Sequence, residues 1–294
     1  MTACKTVVLT GASGGMGMAI AETLARKGHR VFAGMRSPDG RNKEKAAYLR
    51  SVDGEYAITP IELDVADDDS VARSVSGILK ETAEVDVLIN CAGIMATGTT
   101  EAFSTDQFRA ILETNLLGPF RMYKALLPTM RAKGSGLIIT ITSTSGRIVG
   151  PGLGIYTASK FAIDGLAESL GYEVSGLGID TVIVQPGPFA TNLMDNQLVP
   201  EARDIVEEYG EFGRLETTLG ERLWPMLERD KVSLDPQDVA SLVARLIATD
   251  PGQRPIRTTV GMDSGVGEMN PVIERIQRDY LRTVGFEGLA RMKS

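Results

Sequence analysis

Six short apolar runs, rich in β-branched residues and not alternating with polar ones, punctuate the first two-thirds of the chain. They are TVVLT at 6–10, RVFAGM at 30–35, AITPIELDV at 57–65, VDVLIN at 85–90, GLIITIT at 136–142 and IDTVIVQP at 179–186. A strand apolar on both faces must be covered on both faces, which is the condition of a parallel sheet between helix layers. Helical spacing fills the gaps at 15–27, 42–51, 68–82, 105–131 and 156–175. In GMAIAETLARKGH, for example, Ile20, Ala21 and Leu24 recur on one face and Gly28 supplies a C-terminal cap. Alternation of strand and helix up to residue 185 predicts an α/β, doubly wound fold. After Pro186 the pattern loosens. Helices are expected near 199–210, 215–229, 236–248 and 270–284, around one late strand, PIRTTVG, at 255–261. No linker or repeat separates a second unit, so residues 1–294 are expected to form one domain.

Charge narrows the partners. A formal net charge of −7 argues against nucleic acid or an anionic membrane as the main partner. No apolar run approaches the ~18 residues of a membrane span. The N-terminus lacks a basic region followed by an apolar stretch and cleavage site. The chain is expected to be soluble and cytoplasmic. Cys4 and Cys91 lie in runs of apolar or small residues and read as buried free thiols. The one histidine, His29, reads as a surface or strand-edge residue, too little for a His-based triad or a multi-histidine metal site; no metal is expected.

TGASGGMG at 10–17 follows the first strand and opens the first helix. In that context glycines let a backbone approach a phosphate while amides at the helix N-terminus face the anion. The glycines are Gly11, Gly14, Gly15 and Gly17; Ser13 and Met16 stand where the commoner G-x-G-x-x-G spacing would need glycine. About 20 residues on, dinucleotide folds place an acid on the ribose 2′-hydroxyl or an arginine on a 2′-phosphate. Here Gly34 and Met35 carry no carboxylate and Arg36 comes next. A guanidinium fork suits a phosphate dianion, with Ser13 as a further hydroxyl donor, so NADP is the expected cofactor. Asp39 keeps NAD as the minority alternative.

YTASK at 156–160 places Tyr156 and Lys160 at i and i+4, on one face of a helix. A phenol of pKa about 10 is a poor acid–base catalyst at neutral pH. A nearby cation favours phenolate and moves the group toward working pH. Ser143, Thr144 and Ser145 lie together at the end of a strand, and strand period alone does not choose among them.

These residues resemble the short-chain dehydrogenases/reductases, and the match runs in order over about residues 5 to 195. The turn matches at Thr10, Gly11, Gly15 and Gly17, with Ser13, Gly14 and Met16 between them. LDV at 63–65 matches the adenine-contact element, which implies Asp64 near the adenine amino group and Val65 against the ring. NCAG at 90–93 resembles the family's N-N-A-G through Asn90, Ala92 and Gly93, with Cys91 a departure. Asn115 matches the helix asparagine, and Ser143, 13 residues before Tyr156, the catalytic serine. PGPFATNL at 186–193 matches the segment that holds the nicotinamide carboxamide, which implicates Pro186, Gly187, Phe189 and, through its side chain, Thr191.

The resemblance implies a Rossmann fold with a seven-stranded, mostly parallel sheet, helices on both faces and a helical substrate-covering segment at about 192–232. It implies hydride transfer between NADP(H) and a ketone or secondary alcohol, in the manner of carbonyl reductases and hydroxysteroid dehydrogenases. Tyr156 would donate the proton and Ser143 hold the substrate oxygen. Lys160 would bind the ribose and, with the positive charge of the oxidised nicotinamide, lower the phenol's pKa. Asn115 would break its helix locally and hold a water for proton resupply. Leu193, Met194, Leu198, Phe212, Leu215, Leu219, Trp224 and Met226, with Met95 and residues 147–154, are candidate walls for a bulky apolar substrate; the same residues could instead pack the cover onto the sheet. Arg203, Glu207 and Arg214 would face solvent or anchor a polar end. Family members commonly pair through the helices that here are 105–131 and 156–175, which implies a homodimer or homotetramer. Alternatives are a non-catalytic NADP-binding sensor or scaffold, an NAD-dependent alcohol dehydrogenase, and an epimerase or dehydratase; the last are typically longer, with other glycine spacing.

Overall fold

The computed structural model describes residues 3–189, 191, 193, 196–229 and 232–291. Seven strands, β1 (Thr6–Leu9), β2 (Arg30–Met35), β3 (Thr59–Glu62), β4 (Val87–Asn90), β5 (Gly136–Ile141), β6 (Ile179–Pro186) and β7 (Arg257–Val260), form one sheet. Their order is β3-β2-β1-β4-β5-β6-β7 and every pairing is parallel. β1 pairs with both β2 and β4. The winding therefore reverses at β1, and the crevice beyond the carboxyl ends of β1 and β4 is where such sheets take ligands.

The continuous apolar runs resolve into two faces. Val7, Leu9, Val31 and Ile89 pack with Ile20 and Leu24 of α1 (Gly15–Arg26) and Val243 and Ile247 of α9 (Gln237–Ala248). Val8, Phe32, Leu88 and Ile138 pack on the opposite face with Val71 and Ile78 of α3 (Asp68–Thr82) and Met122 and Leu126 of α5 (Gly118–Lys133). The period of two survives inside runs that look uniform because both faces are dry.

The remaining helices are α2 (Lys43–Arg50), α4 (Thr105–Leu112), α6 (Gly154–Val174), α7 (Arg203–Glu208), α8 (Leu215–Arg229) and α10 (Val266–Thr283). α4 starts at a capping box in which Ser104 and Gln107 satisfy each other's backbone amides. The helix expected at 105–131 is interrupted: a π-type segment at Glu113–Leu117 separates α4 from α5. Gly118 just beyond it lies so close to Val65 that a Cβ would come within 2.8 Å of that side chain.

Two side chains differ from expectation. His29 is buried, 2% exposed, and its Nδ1 accepts a hydrogen bond from the Lys5 amide at 3.3 Å. Burial holds its pKa below the usual value, with help from Lys5 and Lys27. Cys4 is exposed, because it precedes β1 rather than lying in it. Among the described residues no His/Cys/Asp/Glu group could hold a metal ion, and no helix is long and apolar enough to cross a membrane.

Candidate active site

A cavity of about 670 Å³ opens at the carboxyl edge of the sheet. One wall is the turn between β1 and α1. Gly11 has a φ of +74°, and a Cβ there would sit 2.7 Å from the Ala92 backbone. At Gly17 a Cβ would run into the carbonyl oxygen of Gly11. Thr10 is not on the wall; its Oγ1 accepts from the amides of Cys91 (3.0 Å) and Ala92 (3.1 Å), which ties β1 to the loop after β4. The residue that precedes α1, Gly14, offers no side-chain cap, so the first amides of the helix are left for a ligand.

Gly11, Ser13, Gly14, Gly15, Met16 and Gly17 all line the cavity, as do Asp64, Val65, Ala92 and Gly93. Pro186, Gly187, Phe189 and Thr191 line it too, and a Cβ at Gly15 would meet the Thr191 methyl at 3.1 Å. Asn90 ends β4, buried, with both polar atoms of its side chain unpartnered within the protein.

Arg36 lines the cavity, and so do Arg41 and Asn42 just before α2 and Lys45 in its first turn. Lys45 Nζ donates to the Ser13 carbonyl at 2.8 Å, which brings this basic group to the glycine turn. The Asn42 amide donates to the Arg36 carbonyl at 2.6 Å. Asp39 lies outside, exposed and 3.9 Å from Arg50. Glycines that admit no side chain and uncapped helix amides fit the diphosphate of a nicotinamide dinucleotide, and Arg36, Arg41 and Lys45 line the same cavity.

Ser143, Tyr156 and Lys160 line the same cavity. Ser143 caps a short turn at Thr144–Gly146, its Oγ accepting from the Ser145 amide at 3.0 Å. That turn docks on α6. A Cβ at Gly146 would lie 3.1 Å from the Lys160 carbonyl and 3.2 Å from Asp164 Oδ1, and Arg147 Nε sits 3.4 Å from Asp164. The serine's strand and the tyrosine's helix are thereby held together. Thr144 and Ser145 also reach the cavity.

Tyr156 is buried, and burial raises its pKa; the hydroxyl of Ser143 acts in the opposite direction. Removal of the phenolate from water is the larger of the two effects. Burial drops Lys160 to about 8, against the upward pull of Cys91 and Asp164, and its Nζ lies 5.6 Å from the Tyr156 ring centre. Burial pushes the Cys91 thiol up to about 12.

Asn115 stands behind the wall, inside the π-type segment. Its Oδ1 accepts from the Ile94 amide (2.8 Å), and its Nδ2 donates to the Ile94 carbonyl (2.9 Å) and to Ser159 Oγ (3.0 Å). Ser159 Oγ donates in turn to the Tyr156 carbonyl at 2.6 Å.

Beyond these groups the wall is mostly apolar, with Ile94, Met95, Ile148, Val149, Leu153 and Leu193, and it also carries the polar residues Thr114, Thr142 and Asn196. Much of the expected cover packs instead of lining. Leu198 joins Ala96, Ile111 and Ile155 in a separate cluster, Leu215 is buried, Phe212 is 48% exposed, and Met226 is half-buried. Arg203, Glu207 and Arg214 are off the wall and exposed. Met194 and the side chains of Leu219 and Trp224 lie outside the described residues. Met262 and Ser264 complete the wall from the loop after β7, which the sequence did not suggest. Gly187 brings them in; a Cβ there would strike the Met262 carbonyl.

Comparison with known proteins gives the family. The family description "short chain dehydrogenase" matches residues 5–201. A 3-ketodihydrosphingosine reductase of Bacteroides thetaiotaomicron is 31% identical over 255 residues, 87% of each chain. A glycine betaine reductase of Emericella nidulans is 34% identical over 81% of this chain and 17% of its own much longer one. A short-chain dehydrogenase structure from Streptomyces avermitilis superposes with a TM-score of 0.75 at 29% identity, covering 97% of this chain and 98% of the other. Solved structures of this fold hold NADP in some cases and NAD in others. The chain belongs to the short-chain dehydrogenase/reductase family of oxidoreductases, enzymes that act on alcohols and carbonyls.

Proposed function

We propose that this chain interconverts a bulky, mostly apolar ketone and its secondary alcohol, with NADP(H) as the cofactor. The observation that carries the reading is that Ser143, Tyr156 and Lys160 face one cavity with the glycine turn and the cations Arg36, Arg41 and Lys45. The turn's amides and glycines would hold the diphosphate, the three cations the 2′-phosphate, and Asp64 and Val65 the adenine. When bound, the dinucleotide supplies the hydride in reduction and takes it back in oxidation.

In the reducing direction Tyr156 Oη gives its proton to the substrate oxygen. Ser143 Oγ hydrogen-bonds the same oxygen and fixes its position. The Lys160 ammonium favours the phenolate left behind and holds the ribose hydroxyls. Asn115 Oδ1 keeps one lone pair free of the contacts above. It and Lys160 Nζ would lie 3.5 and 3.7 Å from a Cβ on Gly93, so both face the same small space. A water there would return protons to Lys160.

Family membership does not choose the substrate, since one relative's name denotes a sphingoid ketone and another's a small zwitterion. The cavity favours the apolar kind. Among the described residues its charged side chains are Arg36, Arg41, Lys45, Asp64 and Lys160, all assigned to the cofactor or to catalysis. Pairing with a second copy through α4–α5 and α6 is supported by Phe120 and Phe161, each 42% exposed on those helices.

The test is absorbance at the reduced-nicotinamide band, with NADPH and NADH, over carbonyls running from glyceraldehyde to cyclic, aromatic and steroid ketones. Tyr156→Phe should cut turnover at least ~100-fold, the lower range for general acid–base catalysis, while NADPH still binds. Tight NADPH binding with no turnover of any carbonyl would make the protein a non-catalytic binder. Efficiency rising toward the small polar end would refute the apolar substrate alone.

A further inference from the structure

Helix α10 carries an apolar stripe that faces solvent. Met269 is 37% exposed, Val272 48%, Ile276 57% and Tyr280 58%. At ~100° per residue these four fall within about 80° of one another. The helix is held to the body by another face, where Val266, Asn270 and Leu281 are buried and Asn270 donates to Gln185 at 2.8 Å. A continuous exposed stripe of this kind marks an interaction surface.

Its charged border indicates the partner. Glu268, Arg275, Asp279 and Arg282 are exposed and lie along one flank of the stripe, within about 60°. Asp279 pairs with Arg282 at 2.8 Å, while Glu268 and Arg275 have no ion-pair partner among the described residues. Two such helices, packed antiparallel about a two-fold axis at Ile276, set Val272 opposite Tyr280 and Ile276 opposite itself. The two-fold axis also brings the charged flank against its own copy. Arg275 then falls two residues, about 3 Å of helix rise, from Asp279 of the second copy and equally far from that copy's Arg275, while Arg282 lies the same distance from Glu268. By symmetry the acid–base contacts occur twice each and outnumber the single Arg275–Arg275 contact at the axis, and the opposed helix dipoles favour the same orientation. An interface of this type is self-complementary by construction. We infer that the exposed face of α10 is a docking surface for α10 of a second copy of this chain, antiparallel and centred on Ile276.

Solution mass by light scattering and cysteine cross-linking test this on the full chain. In a Cys4→Ser background, Ile276→Cys should oxidise to a covalent dimer, because residue 276 meets its own mate at the axis. Met269→Cys should not, since its mate would lie about 21 Å away along the helix. Ile276→Asp should halve the solution mass, whether the wild type is a dimer or a tetramer, with circular dichroism and NADPH binding unchanged. Cross-linking at position 276 that exceeds that at 269, together with the halved mass, supports the interface. Equal cross-linking at both positions, or a mass unmoved by Ile276→Asp, overturns it. So does a monomer that binds anionic vesicles through Ile276, which would assign the stripe to a membrane surface.

Discussion

Lys160 should make the ligand-free protein less stable than it could be, and the cost can be worked out. Its ammonium is buried, 6% exposed, and burial lowers its pKa from 10.5 to about 8. At about 1.4 kcal/mol per unit, that shift corresponds to roughly 3 kcal/mol charged against the folded state below pH 8. The sign follows from proton counting. Between about pH 8 and 10.5 the unfolded chain holds the proton and the folded chain has released it, so stability rises with pH through that window. Below about pH 8 both states are protonated and the full cost is present. Lys160→Met keeps most of the stem and removes the charge. The variant should therefore unfold at higher urea than wild type at pH 6–7, by up to roughly 3 kcal/mol, while losing turnover. As pH rises to 9.5 the wild type should recover about 2 kcal/mol of the gap. The assay is urea denaturation followed by circular dichroism at several pH values, without dinucleotide. A variant less stable than wild type at pH 7, or a gap that does not change between pH 7 and 9.5, would refute the reasoning.

Lys45→Ala and Arg41→Ala should each weaken NADPH relative to NADH in kcat/KM by about 10- to 100-fold, the range for a charge-assisted hydrogen bond, with exposed Arg41 at the lower end. Equal losses with both cofactors would show that these groups do not read the 2′-phosphate. Gly17→Ala puts a methyl against the Gly11 carbonyl and should abolish dinucleotide binding, read by fluorescence titration; retained affinity would mean that the turn can shift to make room.

Much of the sheet was legible because burial on both faces leaves a compositional mark. Strand β6 falls on IDTVIVQP, and β2 on RVFAGM, residue for residue. The late helices were legible in kind but not in extent: α10 begins at Val266, four residues before the expected start, because Asp263 accepts from the Gly265 and Gly267 amides and caps the turn there. Arg36 could be found by counting from the glycine turn, as the distance from turn to strand end is fixed by one helix and one strand. Arg41 and Lys45 could not. They sit in RNKEK, a polar stretch that reads as a solvated face, and only the bond from Lys45 to Ser13 shows which way one of them turns. Tyr156 and Lys160 were legible as a pair on one helix face. Their electrostatics were not, because the balance depends on how much water the fold removes, and sequence spacing carries no measure of that. The turn that holds Ser143 rests on Gly146 and Arg147 meeting Asp164, a contact between segments with no shared local signal.

The loop after β7 has a consequence for when this protein becomes competent. Met262 and Ser264 close part of the cavity wall, and β7 covers the outer edge of β6. Every predicted catalytic side chain has been synthesised by residue 160, yet the wall is finished only about a hundred residues later. A nascent chain halted after β6 would carry Tyr156, the proposed proton donor, and the glycine turn without the wall segment that follows β7. Translation itself therefore orders the events: the residues proposed for the chemistry are encoded early, and the last part of the wall around them arrives about a hundred residues later.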